Sequence, residues 1–357
     1  MPIMNKTEVR LGLPALRGGL LALLAAALFG ISTPLVQLFG VGLGAFSTAA
    51  LLYAGAAAVG LLSRRPVDRE AGLQRADLPR LLAMAVFGAV VGPVALAWGL
   101  QNTSGTSASL MLTLEALFTA VLAWRLYRET MDGRVWAAMA LLLAGGVVLV
   151  LDQGRTGGAQ LWGLLAVLLA TAAWGVDNTL SRALAERDPG RVVMFKALLG
   201  ATATSMLAVL FGEPLPSATA ALALWVIGAT GYGLSLRLYL LAQRAFGAAR
   251  TGSVFAFAPF IGAAVAVALG DRSFSGLMAL GSGLMLAGVV LHLVESHRHE
   301  HAHEEGAHEH AHRHDDGHHT HSHDPLPVGE HSHPHRHEPR RHAHAHVPDA
   351  HHAHRHP

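Results

Sequence analysis

The sequence contains 357 residues, of which 52% are hydrophobic and only 14% are charged. This composition is typical of a membrane protein with several spans and excludes an ordinary soluble domain. The absence of cysteine excludes disulfides, thiolate metal sites and cysteine nucleophiles. The formal net charge is +2 at pH 7. Because the arginines lie between apolar segments and form no single basic domain, we predict no binding of nucleic acid.

Ten apolar segments of about 18 to 23 residues follow one another along the chain, each long enough to cross a hydrocarbon core of about 30 Å. A basic start before the first segment would also suit a signal peptide, but its counterpart later in the chain favours a retained helix. We therefore predict ten transmembrane helices, at residues 18–38, 44–63, 81–101, 105–126, 134–152, 160–182, 191–211, 220–243, 251–270 and 274–294.

Arginine is concentrated in the even-numbered loops between these segments, whereas the odd-numbered loops contain only Arg155 and Arg272. By the positive-inside rule, the even-numbered loops and the amino terminus are cytoplasmic. An even number of spans returns the carboxyl terminus to the same side. We expect a multi-pass protein of the cell's inner (plasma) membrane with both termini in the cytoplasm.

The two halves of the apolar region resemble each other. The stretch LAAALFGISTPL (24–35) aligns with LATAAWGVDNTL (169–180) at an offset of 145 residues. TSASLMLTLEALFTA (106–120) aligns with RTGSVFAFAPFIGAA (250–264) at an offset of 144. Such constant offsets indicate an internal repeat of five helices. Because five is odd, the second repeat must be inverted in the membrane, as in many secondary transporters.

Two five-helix units, each with an acid after its fourth helix (Glu129, Asp271) and a glycine-rich fifth helix, resemble the EamA domains of the drug/metabolite transporter superfamily. The stretch FAPFIGAAVAVALGD (257–271) is similar to the proline-containing helix of that family. The first unit departs from the pattern, because Glu115 occupies the position equivalent to Pro259. The resemblance implies a ten-helix carrier that exports or exchanges small metabolites, without identifying which.

These observations predict an all-α integral membrane fold of ten transmembrane helices in two inverted five-helix repeats, followed by a disordered tail. The predicted parts are a cytoplasmic amino terminus (1–17), a first EamA-like repeat (18–153), a second repeat (160–295) and a histidine-rich tail (296–357).

Charged residues inside the apolar segments indicate a transport pathway or an ion pair, since a charge at the bilayer centre costs about 2.5 to 3.5 kcal/mol. Lys196 and Arg182 lie within about one turn of the cytoplasmic end, where their side chains can reach the membrane surface. Asp177 lies little more than a turn from Arg182. We interpret Asp177 either as the ion-pair partner of Arg182 or as a coupling residue.

Glu115 has about ten residues of its segment on either side, so its carboxyl group cannot reach either surface. It is expected to face the bundle interior, either protonated or paired with a cation such as Arg237. A role in transport and a purely structural hydrogen bond between helices both fit this position.

Aromatic and amide residues near these charges give a weaker signal. Trp98 ends the third segment, Trp174 and Asn178 flank Asp177, and Tyr239 follows Arg237 closely. Tryptophan and tyrosine near the ends of spans are commonly interfacial anchors. Trp174 is the strongest candidate for a residue lining a solute site, because an aromatic residue occupies the equivalent position in the other repeat. Together with Glu115, these residues form the predicted substrate or coupling set.

The sequence predicts no enzyme, because the apolar region has no cysteine, no nucleophile elbow and no histidine except His292. The stretch GATGYG (228–233) is not a phosphate loop, since it lacks the lysine. It could instead loosen the eighth helix for a conformational change. No cofactor is expected to be required.

Of the 24 histidines, all but His292 lie between His297 and His356. This tail has almost no aliphatic residues, so it is expected to be disordered. Alternating histidines in an extended chain can bind Zn, Ni, Co or Cu through neutral imidazole. The predicted metal ligands are His297, His299, His301, His303, His308, His310, His312, His314, His331, His333, His335, His337, His342, His344 and His346.

The leading interpretation is a permease or exporter of an unidentified small metabolite or drug-like solute, with a cytosolic tail that binds transition metals. One alternative is a carrier for Ni, Co or Zn efflux, and another is a membrane-anchored metal buffer without transport. The expected partners are the lipid bilayer, a small solute and transition-metal ions. The sequence does not indicate the oligomeric state.

Overall fold

The computed structural model describes residues 13–65, 70–127, 131, 133–184, 187–246, 248–293, 297–303, 306–312, 331–337 and 340–346. Among these residues, nine helices are long and apolar enough to cross a membrane, and a tenth apolar helix is shorter. In chain order, spans 1 to 10 are Arg17–Phe39, Ala45–Ser63, Arg75–Asn102, Gly105–Tyr127, Gly133–Arg155, Gly158–Leu184, Pro189–Leu210, Ala218–Arg244, Thr251–Ala268 and Gly276–Leu291.

The ten predicted spans are confirmed, with small differences at their ends. The helix of span 1 begins at Leu13, and span 3 begins with a short 3₁₀ turn at Arg75–Asp77. The helix of span 10 continues to Leu293. Most of the predicted amino-terminal segment 1–17, the acid Glu129 and the predicted ligand His314 lie outside the described residues.

The packing of the spans repeats the symmetry of the sequence. Span 1 packs against spans 8 and 9, and span 6, its counterpart, packs against spans 3 and 4. Spans 2 and 7, 4 and 9, and 5 and 10 each pack against their own counterparts. The main contacts between the repeats are therefore matched by equivalent ones with the roles of the repeats exchanged. This is the arrangement of two inverted five-helix repeats around a common interface.

Spans 4 and 9 are interrupted at equivalent positions. Span 4 consists of helices Gly105–Met111 and Leu114–Tyr127, and span 9 of helices Ala248–Phe255 and Ala258–Ala268. In span 9, Pro259 removes a backbone donor at the start of the second helix, which accounts for the break. Span 4 has no proline there. Its break places Glu115 in the first turn of the second helix, where the helix dipole favours a carboxylate.

Spans 3 and 8 each contain one π-helical segment, again at equivalent positions. In span 3, Ala85–Val91 lies between the α-helices Leu78–Met84 and Gly92–Asn102. In span 8, Gly228–Leu234 lies between Ala218–Ile227 and Ser235–Phe246. The segment of span 8 contains the GATGYG stretch that the sequence suggested as a loosened part of this helix. π-Helical segments are rare and are frequent at functional sites.

The described parts of the tail are paired as four strands. The strands are β1 (His297–His303), β2 (Gly306–His312), β3 (His331–His337) and β4 (Arg340–His346). β1 pairs with β4 and β2 with β3, both antiparallel. An isolated pair of strands without an apolar face is at best marginally stable in water, so disorder of the tail stays a prediction.

Candidate solute-binding site

A cavity of about 60 Å³ lies where the two repeats meet. This volume holds a handful of water molecules. Its walls come from spans 1, 2 and 4 of the first repeat and spans 6, 7, 8 and 9 of the second. The lining residues are Phe29, Tyr53, Glu115, Trp174, Asp177, Asn178, Lys196, Gly231, Tyr232, Ser235, Leu236, Tyr239 and Phe255.

One side of the cavity is a continuous group of aromatic rings. The centroid of Phe29 lies 5.6 Å from that of Trp174, 5.8 Å from that of Tyr232 and 5.5 Å from that of Phe255. Tyr53 packs against Tyr232 with its centroid 5.7 Å away. Edge-to-face contacts of this kind stabilise and orient each ring. Rings from both repeats thus form one rigid wall.

The aromatic wall is anchored by the backbone carbonyl of Gly88 in the π-helical segment of span 3. In an α-helix this oxygen would accept a hydrogen bond from the N–H of Gly92. Here that N–H donates to the backbone carbonyl of Phe87 instead. The next possible donor, residue 93, is a proline without an N–H. The free carbonyl accepts hydrogen bonds from Trp174 Nε1, at 3.0 Å, and from the Tyr53 hydroxyl.

An ion pair between Asp177 and Lys196 lies beside this wall. Asp177 Oδ2 accepts a hydrogen bond from Lys196 Nζ, and both residues are buried. The other carboxylate oxygen, Asp177 Oδ1, accepts no hydrogen bond from the described residues. The sequence suggested instead that Asp177 pairs with Arg182 and that Lys196 reaches the membrane surface. Arg182 lies over the ring of Tyr127, with its guanidinium carbon 5.0 Å from the ring centroid.

Glu115 faces the cavity next to this ion pair. Its carboxylate accepts a hydrogen bond from Asn178 Nδ2, which is the only hydrogen bond to Glu115 among the described residues. The sequence suggested Arg237 as a cationic partner, but the partner is a neutral amide. Glu115 is therefore the one carboxylate of the cavity without a bonded cation in the part of the chain that the structure describes.

Of the predicted substrate or coupling residues, the structure brings five to the cavity and leaves two outside it. Trp98 is 44% exposed at the end of span 3, as expected for an interfacial anchor. Arg237 is half-buried in span 8 but does not line the cavity. The five that line it are Glu115, Trp174, Asp177, Asn178 and Tyr239.

The sequence analysis did not select Tyr53, Lys196, Tyr232 or Phe255. The depth of Tyr53 and Tyr232 in the membrane could have identified them. They lie near the middle of spans 2 and 8, so they cannot be interfacial anchors. A hydroxyl at that depth needs a partner or a polar cavity. Lys196 was assigned to the membrane surface because it lies within about one turn of the end of its span. That distance does not indicate which side of the helix the residue lies on.

The end of the bundle that holds the even-numbered loops is closed by ion pairs. Arg244, at the end of span 8, donates to both carboxylate oxygens of Glu70, at 3.0 and 2.8 Å. It also donates to the carbonyl of Arg187, whose Nε lies 2.9 Å from Asp77 Oδ2. Burial raises the pKa of Glu70, and the nearby Arg244 guanidinium opposes the rise. These contacts join the loops that follow spans 2 and 6 to span 8.

The opposite end of the bundle is closed by hydrogen bonds. Asp271, after span 9, accepts from the N–H and the hydroxyl of Thr106 in span 4, at 2.9 and 2.8 Å. Gln37 of span 1 donates to the carbonyl of Thr103, at 2.9 Å. Burial acts to raise the pKa of Asp271, but hydrogen bonds from Ser273 and Thr106 outweigh it and lower the pKa. These contacts join span 4 to the end of span 9 and span 1 to the end of span 3.

A partly charged cavity between two inverted five-helix repeats is the arrangement of a polytopic membrane carrier. Residues 16–151 and 161–294 each match the EamA-like transporter family, and the chain belongs to that family. Over 233 residues the chain is 28% identical to an uncharacterized transporter of Methanothermobacter thermautotrophicus, covering 64% of this chain and 68% of the relative. A protein of known crystal structure shares the fold, with a TM-score of 0.58 and 21% identity over 78% of this chain and 97% of its own.

Proposed function

We propose that the protein is a secondary transporter that carries a small organic solute through the cavity between its repeats. The observation that supports this most directly is the composition of the cavity wall, to which both repeats contribute. When one repeat moves against the other, such a site opens first to one side of the membrane and then to the other. The interrupted spans 4 and 9 and the π-helical segments of spans 3 and 8 lie beside the cavity and allow this movement.

The lining favours an organic solute over a transition-metal ion. Ni, Co, Zn and Cu are bound in proteins mainly by histidine and cysteine. The cavity contains neither, and its walls are largely aromatic. Within the described ranges, no group of three or more histidine, cysteine, aspartate or glutamate residues is placed to hold a metal ion. Metal efflux through the bundle is therefore the weaker candidate, and no catalytic activity is proposed.

Glu115 is proposed as the coupling carboxylate, and its replacement tests the function. Glu115→Gln keeps the size and the hydrogen bond with Asn178 but removes ionisation. The variant should insert normally and transport at least about tenfold more slowly, as expected for loss of a charged hydrogen bond. The measurement uses proteoliposomes loaded with small amines, amino acids and sugars, with released solutes identified by mass spectrometry.

Glu115→Leu, which removes both the charge and the hydrogen bond, tests whether the role of Glu115 is purely structural. If Glu115 only joins helices, glutamine keeps full activity and leucine lowers the amount of protein in the membrane. Full activity of Glu115→Gln would therefore contradict the coupling role. Release of no solute above the rate of protein-free liposomes would contradict transport by the cavity.

We further propose that both termini are cytoplasmic and that the tail binds transition metals there. The arginine-rich even-numbered loops support this orientation. The alternating histidines of the tail sequence support metal binding, because neutral imidazole is a ligand of Zn, Ni, Co and Cu. A reporter enzyme fused after residue 357 and active only outside the cytoplasm would contradict the orientation.

Truncation after Glu295 tests the tail. The full-length protein should bind several Zn ions at pH 7.5, and binding should weaken below about pH 6.5, because the ligand is neutral imidazole. The truncated protein should lose this binding but remain inserted in the membrane and transport the same solutes. Equal Zn binding with and without the tail, measured by isothermal titration calorimetry, would contradict the proposal.

A further inference from the structure

Most neutral hydrogen-bond donors of the cavity lining are already bonded within the protein. Trp174 Nε1 and the Tyr53 hydroxyl both donate to the Gly88 carbonyl, so neither is available to a solute. Asn178 donates to Glu115, and the Ser235 hydroxyl donates to the carbonyl of Ala25 at 2.8 Å. The Lys196 ammonium has three N–H groups and is bonded to Asp177, whereas Glu115 is bonded to no cation among the described residues.

The acceptors that remain are carboxylate oxygens. Asp177 Oδ1 is buried and accepts no hydrogen bond from the described residues. Glu115 accepts one hydrogen bond, although a carboxylate can accept about four. The hydroxyls of Tyr232 and Tyr239 can either donate or accept. Donors on the solute would therefore meet carboxylates, which form the strongest hydrogen bonds with charged N–H groups.

The formal charges of the lining residues also favour a solute with N–H groups and a positive charge. Among the lining residues, Glu115, Asp177 and Lys196 are the charged ones. Lys196 is bonded to Asp177, so the charges of this pair offset each other. When Glu115 is ionised, the lining carries one uncompensated negative charge. A solute with a single positive charge makes the cavity neutral, whereas an anion would add to the imbalance.

We propose that the cavity, when movement of the repeats widens it, binds a small organic monocation, namely a protonated amine on a compact aromatic or apolar body. The ammonium group lies at Glu115, beside the Asp177–Lys196 ion pair, and the body packs against the aromatic wall. Aromatic rings also attract cations, by about 0.5 to 2 kcal/mol for each contact. This assignment rests on the proposed transport function only in taking the cavity as the solute site.

Three probes of nearly equal shape and different charge test the proposal. Benzylammonium, benzyl alcohol and benzoate share one ring, and only the first is a cation. We expect the full-length protein, purified in nanodiscs, to bind benzylammonium at least about tenfold more tightly than the other two. Binding is measured by isothermal titration calorimetry. Equal or tighter binding of benzoate or benzyl alcohol would overturn the proposal.

Glu115→Gln shows whether the preference comes from the lining. This variant should bind benzylammonium about tenfold more weakly, while benzyl alcohol, which reports on the shape of the cavity, should bind as it does to the natural protein. Unchanged binding of benzylammonium would also overturn the proposal. Because no flux is measured, these results are independent of transport. If the protein binds benzylammonium but does not release it from proteoliposomes, the result contradicts the transport proposal. It does not contradict the proposed amine-binding site.

Discussion

Replacing Asp177 with asparagine is expected to lower the free energy of unfolding by about 3 to 5 kcal/mol, the usual cost of removing one partner of a buried ion pair. Lys196 is 3% exposed, and Asp177 is the only residue bonded to it in the described part of the chain. Without Asp177 its ammonium group would remain charged in an apolar bundle, or would have to lose its proton. Either outcome destabilises the folded state.

The double variant Asp177→Asn with Lys196→Met is the matched control. Methionine has a similar length and no charge, so the double variant should recover most of the lost stability. Unfolding in detergent by sodium dodecyl sulfate and the amount of protein in the membrane measure the effect. If the single variant is as stable as the natural protein, or if the double variant is no better than the single one, the ion pair does not stabilise the bundle.

The number and order of the spans could be predicted from the sequence because each segment is long and apolar enough to satisfy its own backbone in lipid. The inverted repeat could be predicted as well. The interruptions of spans 4 and 9 begin after Met111 and Phe255, which are 144 residues apart. This is the same offset that relates the two repeats in the sequence. Glu115 in place of a proline did not remove the break. Geometry shared by both repeats thus persists where the residue that usually causes it is absent.

The partners of the buried charges could not be predicted from the sequence. Asp177 and Arg182 are close along span 6, but five residues turn an α-helix by about 140° beyond one full turn, so they lie on different sides. Lys196 belongs to span 7, and its position opposite Asp177 depends on how the two spans are rotated. Hydropathy gives the depth of a residue in the membrane and contains little information on that rotation.

The π-helical segment of span 3 could not be predicted from the sequence either. Pro93 was a visible signal, but a proline in a membrane helix can produce a kink, a break or a wider turn. The outcome here depends on donors from two other spans, Tyr53 and Trp174, which satisfy the carbonyl of Gly88. Local sequence and tertiary contacts together therefore select the conformation that anchors the aromatic wall.

Gly88 also lies directly against the ion pair, because a Cβ atom at this position would overlap the carboxyl group of Asp177. Gly88→Ala should therefore push the carboxylate away from Lys196 and separate spans 3 and 6. We expect the free energy of unfolding to fall by about 3 kcal/mol, the upper end for overpacking, because the displaced group is charged. Transport and the binding of benzylammonium should both weaken at least about tenfold.

Gly283 provides the matched control for this change. It lies in the helix of span 10, and a Cβ atom there meets no other atom within 4 Å. Gly283→Ala should leave the stability unchanged or raise it by up to about 1 kcal/mol, because alanine is the better helix former. The same unfolding and binding measurements apply to both variants. If Gly88→Ala behaves like Gly283→Ala, span 3 does not position Asp177, and the described shape of the cavity wall does not control solute binding.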